Sequence, residues 1–260
     1  DRAQFLYENY INHSEGGGRR PFDEDTHWEA LHIHAKHRKT DSGDGNFFGS
    51  SWIEYAYQLN LMIMGTMAHE YIQLMAGIYG YKNANKMALK TWVDHFGRRL
   101  GYYLTDTYTT EVALRDFNGT YATYFEGTRN DSKRHDLYTD QMLSHYESIN
   151  VPSEKKSIIH SNSLPIDNSL LGIRDYKLGT HKKSNLFGGS ITNNVGFPAH
   201  NTVIKLVAVK VGNSDWNYDV VKLSDDPGKS IGKTKQHIIN CREELGLPIF
   251  TFVKADVFSA

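Results

Sequence analysis

The sequence predicts an α/β fold organised on a parallel, barrel-like sheet. From Asn46 onward, apolar runs of strand length alternate with amphipathic runs of helix length, which implies parallel strands joined by helical crossovers. Clusters of Gly, Ser, Thr, Asp and Asn follow one strand after another, the pattern that gathers ligand-binding groups at the mouth of a barrel. A chain of 260 residues is long enough for one large domain or two small ones.

Taken in order, residues 1–45 read as an N-terminal segment, a partial domain or surface loop. Gly16-Gly17-Gly18-Arg19-Arg20-Pro21, Asp23-Glu24-Asp25 and Asp41-Ser42-Gly43-Asp44-Gly45 demand little core. His27, His32, His34 and His37 crowd this stretch, but their spacing gives no helical pair followed by a carboxylate, so no metal site is assigned. Residues 46–260 read as the barrel-like domain. Its first strand is expected at 61–64, where Leu61-Met62-Ile63-Met64 breaks at Gly65-Thr66 and restarts with helix formers. Further apolar runs place strands at 102–104, 121–126, 157–160, 203–211, 220–223 and 249–253. Helical periodicity places helices at 67–78, 84–96, 110–117, 137–148, 166–174 and 233–245. Residues 175–200, rich in Gly, Asn, Lys and Ser, read as loop around a short segment at 185–187.

Composition narrows the function classes. The balance of 29 Lys+Arg against 30 Asp+Glu leaves a formal charge of -1, so no global field recruits nucleic acid or an acidic membrane. A single cysteine, Cys241, excludes an intrachain disulfide and a cysteine zinc cluster, and suits a reducing compartment: the cytoplasm first, the nucleus second. No stretch approaches the roughly 18 apolar residues of a spanning helix. The start, Asp1-Arg2-Ala3-Gln4, has neither a signal-peptide pattern nor an initiator methionine, and reads as N-terminally incomplete.

The strand-end clusters suit a phosphorylated sugar. Thr105-Asp106-Thr107, Gly127 to Ser132, Ser161-Asn162-Ser163, Gly188-Gly189-Ser190 and Ser224 to Ser230 offer hydroxyls, carboxylates, glycine pairs and cations. Gly-Gly-Ser lets backbone N–H groups approach a monophosphate. Asp106 and Asp131 offer oxygens for ribose hydroxyls or Mg²⁺, and Arg129 and Lys229 offer charge for phosphate or pyrophosphate. His69 follows the first strand. A lone histidine at a helix start is more often structural than catalytic, but beside phosphate-binding loops a neutral imidazole can serve as a phosphoryl nucleophile. Glu70 or a nearby aspartate could orient its ring, or Glu70 could simply favour the helix N-terminus.

These residues carry a resemblance. Phe47-Phe48-Gly49-Ser50-Ser51, Gly65-Thr66-Met67-Ala68-His69-Glu70-Tyr71, Thr91-Trp92 and Leu104-Thr105-Asp106-Thr107 resemble, in this order, segments of the nicotinate phosphoribosyltransferase family. So do Leu114-Arg115-Asp116-Phe117, Gly127-Thr128-Arg129 with Asp131-Ser132, Asn201 with Val203-Ile204-Lys205-Leu206, and Lys222-Leu223-Ser224-Asp225-Asp226-Pro227-Gly228-Lys229. The resemblance covers the chain from about Asn46 to Leu247. It implies an irregular (β/α) barrel of the type II phosphoribosyltransferase kind, with remnants of an N-terminal α/β domain. It also implies the transfer of the phosphoribosyl group of 5-phosphoribosyl 1-diphosphate to nicotinate, giving nicotinate mononucleotide and pyrophosphate. ATP would be a co-substrate through a phosphohistidine, with Mg²⁺ as cofactor and a homodimer as the assembly.

On the matching positions, His69 would carry the phosphoryl group, with Asp106 and Asp131 as the catalytic carboxylates. Thr66, Arg129, Ser132, Asn162 and Lys229 would bind substrates, and Gly188, Gly189 and Ser190 would cradle the 5-phosphate. Departures stand beside these matches. The family's F-G-T-R-R-R segment, expected before Phe47, is met only by His37-Arg38-Lys39-Thr40, which does not align. Where the family reads R-H-D-S-G-D-P, this chain has Arg129-Asn130-Asp131-Ser132-Lys133-Arg134-His135, and the acid of S-D-G-L is Asn162. Asp41-Ser42-Gly43-Asp44 mimics the lost motif in the wrong place. The alternative to an active enzyme is therefore a degenerate homologue that binds nucleotides or phosphate as a structural subunit.

Overall fold

A computed structural model describes residues 1–18, 23–162, 164, 166–177, 180–181, 183–188, 206–210, 212–213 and 218–249. The chain divides into two compact units. The first spans Asp1–Met67, Arg98–Leu104 and Gly119–Ile204, and the second spans Ala68–Gly97, Thr105–Asn118 and Lys205–Ala260. In chain order the elements begin with α1 (Arg2–Glu8), β1 (His13–Glu15), α2 (Glu24–Ala35), β2 (Phe47–Ser50), α3 (Ile53–Gln58) and β3 (Met62–Ile63). They continue with α4 (His69–Tyr79), α5 (Tyr81–Phe96), β4 (Tyr102–Leu104), α6 (Thr110–Asp116), α7 (Gly119–Tyr124), β5 (Gly127–Asn130) and α8 (His135–Ser148). Then follow β6 (Ser157–His160), α9 (Ser169–Asp175), β7 (Lys183–Gly188), β8 (Ala208–Val209), β9 (Tyr218–Asp219) and α10 (Lys235–Glu244).

The first unit holds a curled, half-barrel sheet of seven strands in the order β3-β2-β1-β7-β6-β5-β4, all paired in parallel. Parallel strands are covered on both faces, and every residue of β1 and β6 is buried. Two glycines let strands approach: a Cβ on Gly127 would lie 1.9 Å from the Ser157 carbonyl oxygen, and one on Gly49 would lie 1.9 Å from that of Met62. The sheet thus confirms the α/β class and its parallel crossovers.

Within residues 1–45, read as an N-terminal segment, partial domain or loop, His13–Glu15 form a strand of this sheet. β1 lies between β2 and β7, and Leu6 and Ile11 pack into one apolar cluster with Leu164, Leu170 and Leu186. α2 is capped by Asp23, which accepts from the Thr26 N–H at 2.7 Å, with Glu24 and Asp25 in its first turn. His34 packs on His13 and Phe47, and His27 packs on Trp52, so these histidines serve the packing of α2.

The strands expected at 102–104 and 157–160 occur at those residues. The run 121–126 does not form a strand. Gly119–Tyr124 is helical despite its aromatic and β-branched content, and Lys156 Nζ donates to the carbonyls of Ala122 and Phe125 at its C-terminal end, at 2.5 and 2.7 Å. The strand follows instead at β5. Residues 220–223 are likewise not a strand: Lys222 forms only an isolated antiparallel bridge with Ile231. Residues 203–205, 211 and 250–253 of the expected strands lie outside the described residues.

The second unit is mainly helical, with the two-stranded β8–β9 ribbon. α4 and α5 are joined by Gly80 at φ 78°, a conformation that suits glycine. They are fastened by the Tyr71 hydroxyl, which donates to the Ala88 carbonyl at 3.1 Å. The first aspartate of Ser224-Asp225-Asp226 has a structural duty here, for Asp225 accepts from the Thr110 N–H at 2.7 Å and from its hydroxyl at 2.6 Å and so caps α6.

The first unit buries neutral imidazoles. His13 Nδ1 donates to the Ile11 carbonyl at 2.9 Å, which leaves Nε2 to accept from His34 Nδ1 at 3.1 Å. Burial, and then the neighbouring His34, pushes the His13 pKa down to about 3, and burial also holds His160 well below the ordinary imidazole range. Both folded-state values lie below the unfolded value of about 6.5, so the unfolded chain binds more protons in this window. Stability is therefore present above pH 6.5 and lost as the pH falls toward 3. Urea midpoints at pH 7.5, 6, 5 and 4 should decline in that order; a flat profile would refute the buried-neutral assignment.

Candidate functional site

The first unit gathers its functional groups where β1, β2, β5, β6 and β7 end. Arg129, the third residue of β5, points its guanidinium into a polar knot. Its Nε donates to Ser161 Oγ at 2.8 Å, its Nη2 to Asp131 Oδ1 at 3.1 Å, and its Nη1 to the hydroxyl of Thr66. Ser161 Oγ lies 2.5 Å from the same Asp131 oxygen. The guanidinium carbon stands 5.7 Å from the centroid of the Phe187 ring, within cation–π reach. Arg129 and Asp131 are about one-fifth exposed, so the pair is oriented yet reachable. Of the residues expected from sequence, Thr66, Arg129 and Asp131 meet here. Ser161 and Phe187 belong to the same knot and were not foreseen, although Ser161 stood in a strand-end cluster.

The altered loop after β5 is closed by its own side chains. Asn130 Nδ2 donates to the Lys133 carbonyl at 2.8 Å, and Asn130 Oδ1 accepts from the Lys133 N–H at 3.0 Å. Ser132 is buried beneath it. Asn162 meets this loop through its backbone: its carbonyl lies 3.2 Å from His135 Nε2. Burial lowers the His135 pKa against the opposing effect of its hydrogen bond to the Asn162 carbonyl. Gly188 ends β7, opposite Glu15 in register, while Gly189 and Ser190 lie outside the described residues.

β1 ends in a group that sequence reading overlooked. Glu15 is fully buried, yet its carboxylate is heavily engaged. Oε1 accepts from the Gly17 N–H, and Oε2 accepts from Ser50 Oγ at 2.6 Å, from Ser51 Oγ at 3.3 Å and from the Ser51 N–H at 3.3 Å. His27 Nε2 stands 3.8 Å from Oε2. The Gly18 N–H goes to Ser51 Oγ at 3.2 Å. One carboxylate thus fastens the turn after β1 to the turn after β2, and the amides of Gly17 and Gly18 are consumed inside the protein. This turn leads directly into Arg19-Arg20. Arg19 and Arg20 themselves lie outside the described residues.

The second unit holds His69 as the first residue of α4, where the helix N-terminus favours negative charge. Its Nδ1 lies 3.1 Å from Thr107 Oγ1 and 3.7 Å from the buried Asp106 Oδ1. The other Asp106 oxygen lies 3.7 Å from Lys222 Nζ, whose side chain is only 9 % exposed. His69, Glu70, Gln73, Leu206, Lys222 and Ile231 line one small cleft. The partner at Nδ1 is thus Thr107 with Asp106 behind it, while Glu70 is exposed at the cleft. Lys229 is not part of this cleft: it sits on the short turn Pro227–Lys229, nearly half exposed, 4.0 Å from Asp226. Among the described residues, no helix is long and apolar enough to cross a membrane.

Comparison with known proteins places these residues in context. The model of the nicotinate phosphoribosyltransferase (NAPRTase) family matches residues 11–249, so the likeness begins before β1 rather than at residue 46. A nicotinate phosphoribosyltransferase of Desulforapulum autotrophicum is 34% identical over 239 residues, covering 91% of this chain and 59% of that protein. A probable nicotinate phosphoribosyltransferase of Schizosaccharomyces pombe is 34% identical over 247 residues, covering 90% of this chain and 58% of that protein. The crystal structure of nicotinate phosphoribosyltransferase from Porphyromonas gingivalis superposes with a TM-score of 0.85 at 32% identity, covering 95% of this chain and 62% of that one. The chain spans a little under three-fifths of the length of these two curated relatives.

The Glu15 geometry has a direct consequence for stability. Glu15→Ala leaves the buried Gly17 amide and the hydroxyls of Ser50 and Ser51 without this acceptor, while the Ser51 amide keeps the Glu15 backbone carbonyl at 3.0 Å; the loss is expected to cost about 3 kcal/mol. Urea unfolding should show it as a lower midpoint. A change below about 0.5 kcal/mol, the range of an ordinary surface substitution, would remove Glu15 from this role.

Proposed function

We propose, for a chain that belongs to the nicotinate phosphoribosyltransferase family, that the protein joins nicotinate to 5-phosphoribosyl 1-diphosphate, with ATP cleaved through a phosphorylated His69. The observation that carries this reading is the His69 arrangement: an imidazole at a helix start, fixed at Nδ1 by Thr107, with a carboxylate and an ammonium behind it. A phosphoryl acceptor needs an oriented ring and a field that tolerates incoming negative charge, and both are present in one unit.

The first unit supplies the groups for the glycosyl transfer. Breaking the bond from the anomeric carbon to the diphosphate develops positive charge on the ribose and negative charge on the leaving group. A carboxylate held as Asp131 is held suits the former. A guanidinium such as Arg129, oriented by Thr66, Ser161 and Asp131, suits an anionic base or a phosphate. Mg²⁺ would accompany the diphosphate, and in the first unit the carboxylate oxygens of Asp131 are hard donors of the kind it takes. A homodimer is the assembly proposed for it.

The second reading, a binding subunit without turnover, is favoured by Asn162, a neutral amide where the family pattern has an acid. Calorimetry separates the two. Binding of nicotinate and 5-phosphoribosyl 1-diphosphate with release of nicotinate mononucleotide supports the enzyme; ligand binding without product supports the subunit; no binding overturns both.

His69→Ala should abolish incorporation of acid-labile, base-stable label from γ-labelled ATP while leaving slow ATP-independent transfer. A wild-type chain that takes no such label would end the phosphohistidine role. Asp131→Asn should lower turnover by about 10²-fold with the unfolding midpoint little changed. Equal turnover in a nicotinate-dependent assay would move Asp131 out of the site.

A further inference from the structure

We propose that Lys222 is a catalytic residue for the phosphorylation of His69, its ammonium contacting the oxygens of the phosphoryl group during transfer. The inference rests on the reading of His69 as the phosphoryl acceptor. Three observations within the second unit lead to it.

Lys222 is nine-tenths buried, a costly place for an ammonium. Yet among the described residues its Nζ makes no hydrogen bond, and its nearest carboxylate oxygen, Asp106 Oδ2, stands at 3.7 Å, beyond hydrogen-bond distance. The side chain lines the same cleft as His69, Glu70 and Gln73. The backbone there is also fixed: the Lys222 N–H donates to the Ile231 carbonyl at 2.9 Å, and the Ile231 N–H returns to the Lys222 carbonyl at 2.8 Å. A rigidly mounted, buried ammonium with donors to spare is the group an incoming phosphoryl oxygen would complete.

The charges balance when the phosphoryl group is present. Asp106 places one carboxylate oxygen towards His69 and the other towards Lys222. In the transfer, a ring nitrogen of His69 forms a bond to the γ-phosphorus as the bond from that phosphorus to the bridging oxygen breaks, and the electron pair leaves on ADP. The ring proton stays on the imidazole, whose charge Asp106 balances. Lys222 then meets the negative charge spread over the three non-bridging oxygens.

The test uses the whole chain and two phosphoryl donors, γ-labelled ATP and labelled phosphoramidate, which phosphorylates histidine without a nucleotide. Lys222→Met should slow acid-labile labelling by about 10²-fold with either donor, the size of effect seen when one charge-stabilising donor is removed. Lys222→Arg, which keeps the charge, should recover to within about tenfold of wild type. Should the methionine variant not fold, Lys222→Gln gives the same comparison with a neutral polar side chain. Labelling of the neutral variant at the wild-type rate overturns the proposal. If wild type accepts label from phosphoramidate and not from ATP, the ATP reading fails, and the phosphoramidate rates still decide for or against Lys222.

Discussion

A carboxylate removed from water must be surrounded by donors, and in the first unit that requirement falls on Glu15. The strand that carries it is buried on both faces, so its charge cannot reach solvent and is met by the backbone amides of Gly17 and Ser51 and the hydroxyls of Ser50 and Ser51. The consequence extends past one residue. Because both oxygens face main-chain donors, the turns after β1 and β2 are fixed by a single group, at the strand ends where an α/β sheet places its ligands. The Gly16-Gly17-Gly18 turn is thereby a support and not a phosphate cradle, since two of its amides are already taken. A side chain at Gly16 would also meet the Phe187 ring at 2.9 Å, so the turn has no room for one without a shift.

The same logic governs the second unit with the signs arranged differently. Asp106 is buried and serves two cationic or potentially cationic neighbours at equal distance, His69 and Lys222. Asp106 thus stands between an imidazole and an ammonium without a closed ion pair to either, an arrangement into which an added phosphoryl group brings balancing negative charge. The start of α4 adds its dipole in the same direction. Asp225, by contrast, spends both oxygens on capping α6. The two aspartates thus serve different elements: Asp225 holds the start of α6, and Asp106 faces His69 and Lys222.

Much of this was legible in the sequence. Tyr102-Tyr103-Leu104 and Ser157-Ile158-Ile159-His160 are short apolar runs bounded by turn residues, and they are strands as read. His69, Thr66, Arg129 and Asp131 could be chosen because each stands just beyond such a run. The misreading of Gly119–Tyr124 has a physical cause: its local preference for strand is overruled by Lys156, 32 residues after its Tyr124 end, which satisfies the carbonyls of a helical turn there. Glu15 and Lys222 were missed for a related reason. Glu15 has no sequence neighbour that marks it, and Lys222 stood only as the first residue of a matched segment; their importance comes from burial and from partners 36 residues away in one case and 116 in the other.

The first 45 residues show how composition can mislead about position. Glycine triplets, histidines and acidic runs read as a loose segment, yet they bracket a three-residue strand that sits between β2 and β7. The strand is too short to register as an apolar run, and its residues, His13, Ser14 and Glu15, are all polar. His13 and Glu15 can be buried because both find internal partners: His13 an adjacent carbonyl and His34, Glu15 the two serines and the Gly17 amide. Such a strand costs stability relative to an apolar one and has no advantage as core alone. Its polar groups make sense as a device for fixing loops at the ligand-facing end of the sheet, which is where the family likeness, beginning at residue 11, also begins.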